Sequence, residues 1–311
     1  MRVIIINGPK IQCGIYQYSQ SLYDVLTSMK TKYTYEFFPT DSIEDARGII
    51  TSGNVHAVIY NHHPMALAWL DSGFTRPIRN QFGIKQIMIT GHEHETRYIG
   101  VDDYIYTDPN FPSMGNVHAG IPPLLFYDDI QYHKSNGTIK IGTSGIGNST
   151  KNLHELVNKI NKDFTDEEVI LNVHITDGAY VDPTGKFSDM LATICEKVAH
   201  SNVKIHITRS FMSKKDLVKW LNQNDINIYW HTVGPNLGVS SSIDRAIEAR
   251  KPFGVNQSNF FKHVIRDHND ITQVSIKSII ENGIEPFQEF YDKWSPEKLI
   301  TLYERIIDGT Q

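Results

Sequence analysis

The stretch VIIINGPKIQCG, residues 3–14, decides how the amino-terminal half of this chain is expected to fold. Its first four residues form a continuous β-branched run, which is typical of a strand buried on both faces of a parallel sheet. A glycine-containing loop follows, and apolar residues then recur at helical spacing at Leu22, Val25, Leu26 and Met29. The chain therefore opens with a strand, a loop and a helix, the unit from which parallel α/β sheets are built.

The same alternation of strand and helix patterns continues along the rest of the chain. In the first half, further strands are predicted at His56–Tyr60, Gln86–Thr90, Tyr33–Phe38 and Asp103–Tyr106. A breaker at 120–123 and a polar linker at Tyr132–Gly137 precede a second series of elements. In that series, strands are predicted at Thr138–Gly142, Val169–Ile175, Val203–Thr208, Ile226–His231 and Pro252–Val255, and helices at 153–160, Phe187–Val198, 213–221 and Ser240–Arg250.

The predicted fold class is α/β, with two Rossmann-like domains of parallel strands joined by right-handed crossovers. We expect the amino-terminal domain at residues 1–131 and the carboxyl-terminal domain at 138–290. A final helix is expected at 295–311, because Ser295-Pro296-Glu297 is a typical helix start. A chain of 311 residues is long enough for two such domains.

The composition of the chain indicates which partners are disfavoured and which cellular compartment is expected. Hydrophobic residues make up 40% of the chain, and the formal net charge of -5 comes with no long run of either sign. This argues against nucleic acid as the main partner, since phosphate backbones need clustered Lys and Arg. Cys13 and Cys195 form no CxxC pair, which favours a reduced, cytoplasmic protein. We expect no secretory signal and no transmembrane segment, so contact with a membrane would be peripheral.

Ligands of open parallel sheets bind beyond the carboxyl ends of the strands, and the residues there are the candidates for chemistry. Gly14 lies after the first strand, where it would let the backbone approach a phosphate at the start of a helix. The segment has neither a GxGxxG fingerprint nor a P-loop, which disfavours dinucleotide and P-loop classes. An ordinary βα turn is an equally good interpretation of Gly14 on this segment alone.

Histidines follow two strands of the first half, at His62-His63 and at His92 and His94. Their spacing matches no HExxH pattern and no acidic partner set is evident, so a metal site is disfavoured. One neutral imidazole reaching a sugar hydroxyl, His92, fits better, because it both donates and accepts hydrogen bonds. Simple packing at a loop stays open for the other three.

Phosphate-binding candidates in the second half follow three of its strands. A Gly-rich stretch leads from Thr143 and Ser144 to Lys151, whose charge could neutralise a diphosphate. A second loop carries Gly238, Ser240 and Ser241 into a helix, whose amino-terminal N–H groups favour anions. Arg209, placed after another strand, could contact a base or phosphate. A solvated lysine at a helix entry and simple serine capping remain open alternatives.

These stretches resemble those of GT-B-fold glycosyltransferases of the retaining family 4 type. Cys13–Tyr18 resembles their "CGI-x-x-Y" loop, Ile87–His92 their "VVTVH" strand, and Lys251–Val255 their "GKPVIA" strand. Residues 141–151 resemble "vGR…KG", which opens the donor domain. The resemblance implies two lobes facing across a cleft and a last helix that crosses back to the first lobe.

The resemblance also implies roles for individual residues. Gly14 would lie near phosphate or acceptor, and His92 near the sugar. Lys151 would face the diphosphate, with Ser240 and Ser241 supplying backbone donors. Such enzymes stabilise the departing nucleotide diphosphate without a metal or cofactor, so positive charge and N–H dipoles carry that role.

Two departures from the family pattern stand out. The family's Arg falls at Ser144, and its paired glutamates fall at about Leu237 and Arg245. Asp244 is one residue away from the ribose-binding position and could substitute for it if the loop is shifted.

The resulting hypothesis is a glycosyltransferase that moves a sugar from a nucleotide-diphosphate donor to a hydroxyl acceptor, whether carbohydrate, lipid-linked or protein. Two rivals remain. One is an inactive relative that binds nucleotide sugars or acts as a scaffold. The other is a nucleotide-sugar 2-epimerase.

Overall fold

The computed structural model describes residues 1–91, 97–134, 137–234 and 238–310. The described residues divide into two compact units. The first contains Met1–Leu125, Gly238–Val239 and residues 294–310, and the second contains residues 126–234 and Ser240–Lys293. Each unit is built around one parallel sheet.

The first unit has a six-stranded sheet in the order β2-β1-β3-β4-β5-β6, and all of its strand pairs are parallel. Its elements are β1 (Arg2–Asn7), α1 (Gly14–Thr27), β2 (Thr34–Pro39), α2 (Ile43–Thr51), β3 (Val55–Asn61), α3 (Ser72–Phe82), β4 (Lys85–Thr90), β5 (Asp103–Tyr106), β6 (Val117–Ala119) and the last helix of the chain, α10 (Pro296–Asp308).

The β-branched run of β1 is buried on both faces, as the sequence predicts. Val3 and Ile5 belong to a cluster with the apolar faces of α1 and α10, while Ile4 and Ile6 belong to a second cluster with α2 and α3. Side chains alternate across a strand, so consecutive isoleucines serve opposite layers. Tyr303 on α10 is 1% exposed, which shows that the last helix packs in the first unit.

The second unit has a five-stranded parallel sheet in the order β11-β10-β7-β8-β9. Its elements are β7 (Ile139–Ile146), α4 (Leu153–Asp163), β8 (Val169–Thr176), α5 (Lys186–Val198), β9 (Val203–Thr208), α6 (Lys214–Asn222), β10 (Ile226–Tyr229), α7 (Ser242–Glu248), β11 (Phe253–Val255), α8 (Ile276–Asn282) and α9 (Gln288–Lys293), with 3-10 turns at Asn259–Phe261 and Glu285–Phe287.

The structure confirms the predicted α/β class and the alternation of strands and helices. The ends of two strands, β7 and β10, differ from the prediction in ways that matter for the site, and the first of these concerns β7. The strand predicted at Thr138–Gly142 continues to Ile146, because Thr143–Ile146 pair in register with β8 as far as Thr176. Thr143 and Ser144 therefore lie within a strand rather than in the loop that follows it.

The described residues contain no helix of the length and apolarity that a membrane crossing requires.

Candidate anion site

Lys151 lies two residues before α4 and is held by a short antiparallel bridge to His231. The Asn152 N–H donates to the Trp230 carbonyl at 3.0 Å, and the Thr232 N–H donates to the Thr150 carbonyl at 2.8 Å. These two bonds attach the segment after β7 to the segment after β10. Since both strands are parallel, the bridge lies at the carboxyl edge of the second sheet.

The Lys151 side chain is buried, with 7% of the residue exposed. Its Nζ donates to the Ser144 carbonyl at 3.3 Å and lies 3.5 Å from His231 Nε2. Burial lowers the pKa of this ammonium to about 8, and within the described part of the chain no carboxylate pairs with it. An ammonium out of water and without a counter-ion is costly, so the surroundings favour an anion beside it.

Gly145 brings Lys151 next to the amino-terminal end of α7. Its φ of 142° lies in a region that side-chain-bearing residues rarely adopt. A Cβ at this position would lie 2.5 Å from Lys151 Nζ and 3.8 Å from Ser242 Cβ. The absence of a side chain at Gly145 therefore leaves the space in which strand end, ammonium and serine-lined helix start come together.

We call the place where Gly145, Lys151 and the start of α7 meet the corner. Ser144 contributes to this corner through its backbone carbonyl, since its hydroxyl is bonded to another residue. Its Oγ lies 3.1 Å from the Tyr229 hydroxyl, and both residues are buried. Thr143, the preceding residue of β7, is also buried at 3% exposure. The Ser144 side chain thus connects β7 to β10 beneath the corner.

The start of α7 carries a buried group of charges. Asp244 is 3% exposed, and burial raises the pKa of its carboxyl to about 7 in spite of the neighbouring Arg245. Arg245 is ion-paired with Glu248, whose carboxylate also accepts from Lys214 at 3.0 Å. The arginine that stands where the family pattern has a ribose-binding glutamate is therefore ion-paired with a carboxylate of its own helix, which it shares with Lys214.

The serine-rich loop offers fewer backbone donors than the sequence suggests. The Ser240 N–H donates to the Phe260 carbonyl at 3.0 Å, and the Ser240 hydroxyl lies 2.7 Å from that of Ser242. Ser241 is the N-cap of α7 but makes no side-chain capping bond. Gly238 is buried and is grouped with the first unit. Among the amides of residues 240–244, those of Ser241, Ser242 and Ile243 have no partner in the described structure.

Arg209 follows β9 and connects two loops of the second unit. Its guanidinium donates to Asp177 at 2.9 Å, to the Gly185 carbonyl at 3.2 Å and also to Asp189. Burial alone would lower the pKa of the guanidinium, but these carboxylates raise it. The side chain therefore has acidic partners that any phosphate would have to replace.

Residues at the carboxyl edge of the first sheet are described in part. Gly14 opens α1, and a Cβ there would meet nothing within 4 Å, so its backbone faces open space. His62 is buried with Nε2 3.3 Å from the Tyr98 hydroxyl, and His63 Nδ1 accepts from the Met65 N–H at 3.1 Å. His92 and His94 lie outside the described residues. No cluster of three or more His, Cys, Asp or Glu side chains suited to a metal occurs in the described ranges.

His231 is the member of this corner that the sequence analysis did not single out. The sequence pattern predicts a strand over Ile226–His231, whereas β10 ends at Tyr229 and leaves His231 just beyond its carboxyl end. A position directly after a strand is the sequence signal that His231 shares with His62 and His92.

The two parallel sheets, their orders and the return of α10 to the first unit define the GT-B fold. Solved structures with this fold match over nearly the whole chain. The Anabaena protein Alr3699/HepE in complex with UDP-glucose is 10% identical, with a TM-score of 0.65 over 99% of this chain and 100% of that one.

Two further structures match to a similar extent. The lipopolysaccharide outer core galactosyltransferase WaaB is 10% identical with a TM-score of 0.58, and a UDP-forming alpha,alpha-trehalose-phosphate synthase from Burkholderia xenovorans is 9% identical with a TM-score of 0.58. Each match covers 99% of both chains. No family model and no curated protein sequence matches the chain. At these identities the likeness establishes the fold alone.

Proposed function

We propose that this chain is a glycosyltransferase that moves a sugar from a nucleotide-diphosphate donor to a hydroxyl acceptor. The observation that carries the proposal is the buried Lys151 ammonium, which has no carboxylate partner among the described residues. Glycosyl transfer releases a nucleoside diphosphate, and a fixed cation at the carboxyl edge of the sheet stabilises the charge that develops on it. Free amides at the start of α7 add donors on the same side.

The solved structures of similar fold support this choice of ligand. Alr3699/HepE was solved with UDP-glucose, with UDP, and with UDP and glucose. An alpha-glucosyltransferase with a TM-score of 0.54 was solved with UDP. A nucleotide-sugar donor is therefore the ligand class to test first on this chain.

The remaining candidates take subsidiary roles in the proposal. Lys151 holds the diphosphate together with the amides of Ser241 and Ser242. Thr143 and Ser144 belong to the strand end that supports Lys151, and Gly238 precedes the serines of the loop. The Ser240 hydroxyl, rather than its bonded amide, faces the phosphate. Asp244 contacts the ribose of the nucleotide, and Arg209 contacts its nucleobase. Gly14 contacts phosphate or acceptor, and His92 orients the sugar. Retention at the anomeric centre and independence from metal are carried over from the family resemblance.

A panel of UDP-, GDP-, ADP- and TDP-sugars tests the proposal by thermal stabilisation, because a ligand that binds only the folded state raises the melting temperature. We expect one base to stabilise the wild type and the Lys151→Ala variant to lose that response. Lys162→Ala is the matched control, since Lys162 is an exposed lysine on α4 and its loss changes the net charge equally. Wild-type stabilisation retained in full by Lys151→Ala would remove Lys151 from the site.

Turnover is tested separately with the stabilising donor and a panel of hydroxyl acceptors. The anomeric configuration of the product, read by NMR, decides between retention and inversion. Addition of a chelator decides whether transfer needs a metal.

An inactive nucleotide-sugar-binding protein is the second candidate, and the pairing of Arg245 with Glu248 favours it. In the family pattern this position holds a glutamate for the ribose, whereas here it is an arginine that is ion-paired within its own helix. Donor binding without transfer or hydrolysis on any acceptor would support this second candidate over the enzyme. Interconversion of the donor with no acceptor present would instead indicate an epimerase.

A further inference from the structure

Lys151 and His231 are 80 residues apart in sequence. A short antiparallel backbone bridge places them opposite each other. The bonds from Asn152 to Trp230 and from Thr232 to Thr150 flank the pair without joining it. In an antiparallel ladder such a non-hydrogen-bonded pair has its Cα atoms about 4.5 Å apart and its side chains on one side. The two side chains are therefore placed next to each other by the bridge itself.

The His231 ring is fixed on its other sides. Its centroid lies 4.9 Å from the rings of Phe260 and Phe261, both in edge-to-face geometry. The His231 N–H donates to Asn256 Oδ1 at 3.0 Å, and its carbonyl accepts from Asn256 Nδ2 at 2.8 Å. Two aromatic contacts and a two-point backbone clamp leave the imidazole little freedom to turn away from Lys151.

An ammonium has three N–H donors, and the described structure supplies Lys151 with two acceptors. These are the Ser144 carbonyl at 3.3 Å and His231 Nε2 at 3.5 Å. We propose that His231 is a positioning residue that accepts a hydrogen bond from Lys151 and directs its remaining N–H toward an anionic ligand. The identity of that ligand as a nucleoside diphosphate rests on the proposed function.

The surroundings keep the His231 imidazole neutral, and only a neutral imidazole can accept a hydrogen bond. Burial, and next the Lys151 charge, lower the pKa of His231 well below its ordinary value. The neighbouring titratable and charged groups are Tyr229 on β10 and, near the Tyr229 hydroxyl, Asp244 and Arg245 on α7. The 3-10 turn contributes the rings of Phe260 and Phe261.

His231 Nδ1 is buried and has no hydrogen-bond partner among the described residues. Neither tautomer therefore satisfies both ring nitrogens. Hydrogen bonds to charged groups are the stronger ones, so the bond from Lys151 favours a proton on Nδ1 and a free lone pair on Nε2.

The first test needs no substitution. Nitrogen-15 NMR of the labelled full-length protein at pH 7 reports which ring nitrogen of His231 carries the proton. We expect the proton on Nδ1, with Nε2 unprotonated. A proton on Nε2 would overturn the proposal, because that nitrogen would then be a donor facing a donor.

The second test follows the Lys151 ammonium itself by NMR titration, with no ligand present. His231→Phe keeps an aromatic ring between Phe260 and Phe261 but removes the acceptor, and should lower the Lys151 pKa by roughly one to two units. His231→Gln returns an acceptor and should restore most of that shift. An unchanged Lys151 pKa in His231→Phe refutes the positioning role. If this variant does not fold, His231→Leu takes its place.

UDP affinity then connects the pair to the proposed function. If the pKa falls by one unit, the loss of UDP affinity in His231→Phe should be roughly eightfold larger at pH 9 than at pH 6, where Lys151 is charged in both proteins. An equal loss at both pH values would mean general damage to the site and would count against the proposal. Absence of UDP binding to the wild type refutes the proposed ligand, while the ligand-free titration still decides the role of His231.

Discussion

Replacement of Lys151 by methionine should make the protein more stable and remove its response to UDP. Methionine has nearly the same length and volume, but it brings no charge into the buried corner. Burial lowers the Lys151 pKa from its ordinary 10.5 to about 8. That difference corresponds to a cost of about 3 kcal/mol for keeping the ammonium charged in the folded protein at neutral pH. The Lys151→Met variant should recover part of that free energy of unfolding.

The stability advantage of Lys151→Met should depend on pH, because the Lys151 pKa differs between the folded and unfolded states. Below pH 8 the lysine is charged in both states, and the folded state carries the full cost. Between pH 8 and 10.5 the folded state has released the proton while the unfolded chain still holds it, so wild-type stability rises with pH. The advantage of Lys151→Met should therefore be greatest at pH 7 and shrink between pH 8 and 10.5.

Urea unfolding at pH 7, 9 and 10.5 measures this difference, with UDP titration of both proteins at pH 7. Lys162→Met serves as the control, because an exposed lysine should change stability little at any of these pH values. A variant that is less stable than wild type throughout would refute the reasoning, since it would mean that Lys151 already has a stabilising partner. A gain in stability coupled to loss of binding is the pattern expected of a residue retained for function.

Three further substitutions test other parts of the second unit. Gly145→Ala should cost about 1–3 kcal/mol through its positive φ and displace Lys151 Nζ, so that UDP stabilisation is lost, whereas Gly137→Ala, which meets nothing within 4 Å, should leave melting and binding unchanged. Asp244→Asn should remove a fall in stability between pH 4 and 7, because the folded carboxyl holds its proton up to about pH 7 while the unfolded one releases it near 3.8. Denaturant melts at pH 4 and 8 check this, and parallel curves for the two proteins would contradict it. Arg209→Ala should lower the free energy of unfolding by about 1 kcal/mol, since its partners are partly exposed, and an unchanged urea midpoint would show that the bridges contribute nothing.

The fold could be predicted because its signals are local. The run Val3–Ile6 needs no distant partner to be recognised as a buried strand, and the helix over α10 follows from a proline at its first turn and a periodic apolar face. The helix predicted at 213–221 begins where the Ser213 hydroxyl accepts from the Asp216 N–H, a cap set by residues three positions apart. Each of these features is set within a few residues, where sequence spacing and spatial distance agree.

The site was predicted only in part, because its geometry depends on contacts distant in sequence. The sequence pattern ends β7 at Gly142, four residues too early, since its last residues owe their strand conformation to pairing with β8. The position of Lys151 depends on a bridge to His231, which no local pattern encodes. The bond from the Ser240 amide to Phe260 likewise joins segments that sequence spacing does not relate. The identities of the polar residues were accessible from sequence, but their partners were not.

The departures from the family pattern have a common consequence for the charge of the site. At Ser144 the family's arginine is absent, and the hydroxyl that replaces it turns to Tyr229. At Arg245 a cation is present, but it is ion-paired with Glu248. Among the described residues of the corner, Lys151 is thus the buried cation that has no carboxylate partner. A single ammonium with a pKa of about 8 therefore supplies the positive charge of the proposed site. Anion affinity then depends on the groups that keep Lys151 protonated. The hydrogen-bond acceptors of Lys151 matter for this reason as much as the lysine itself.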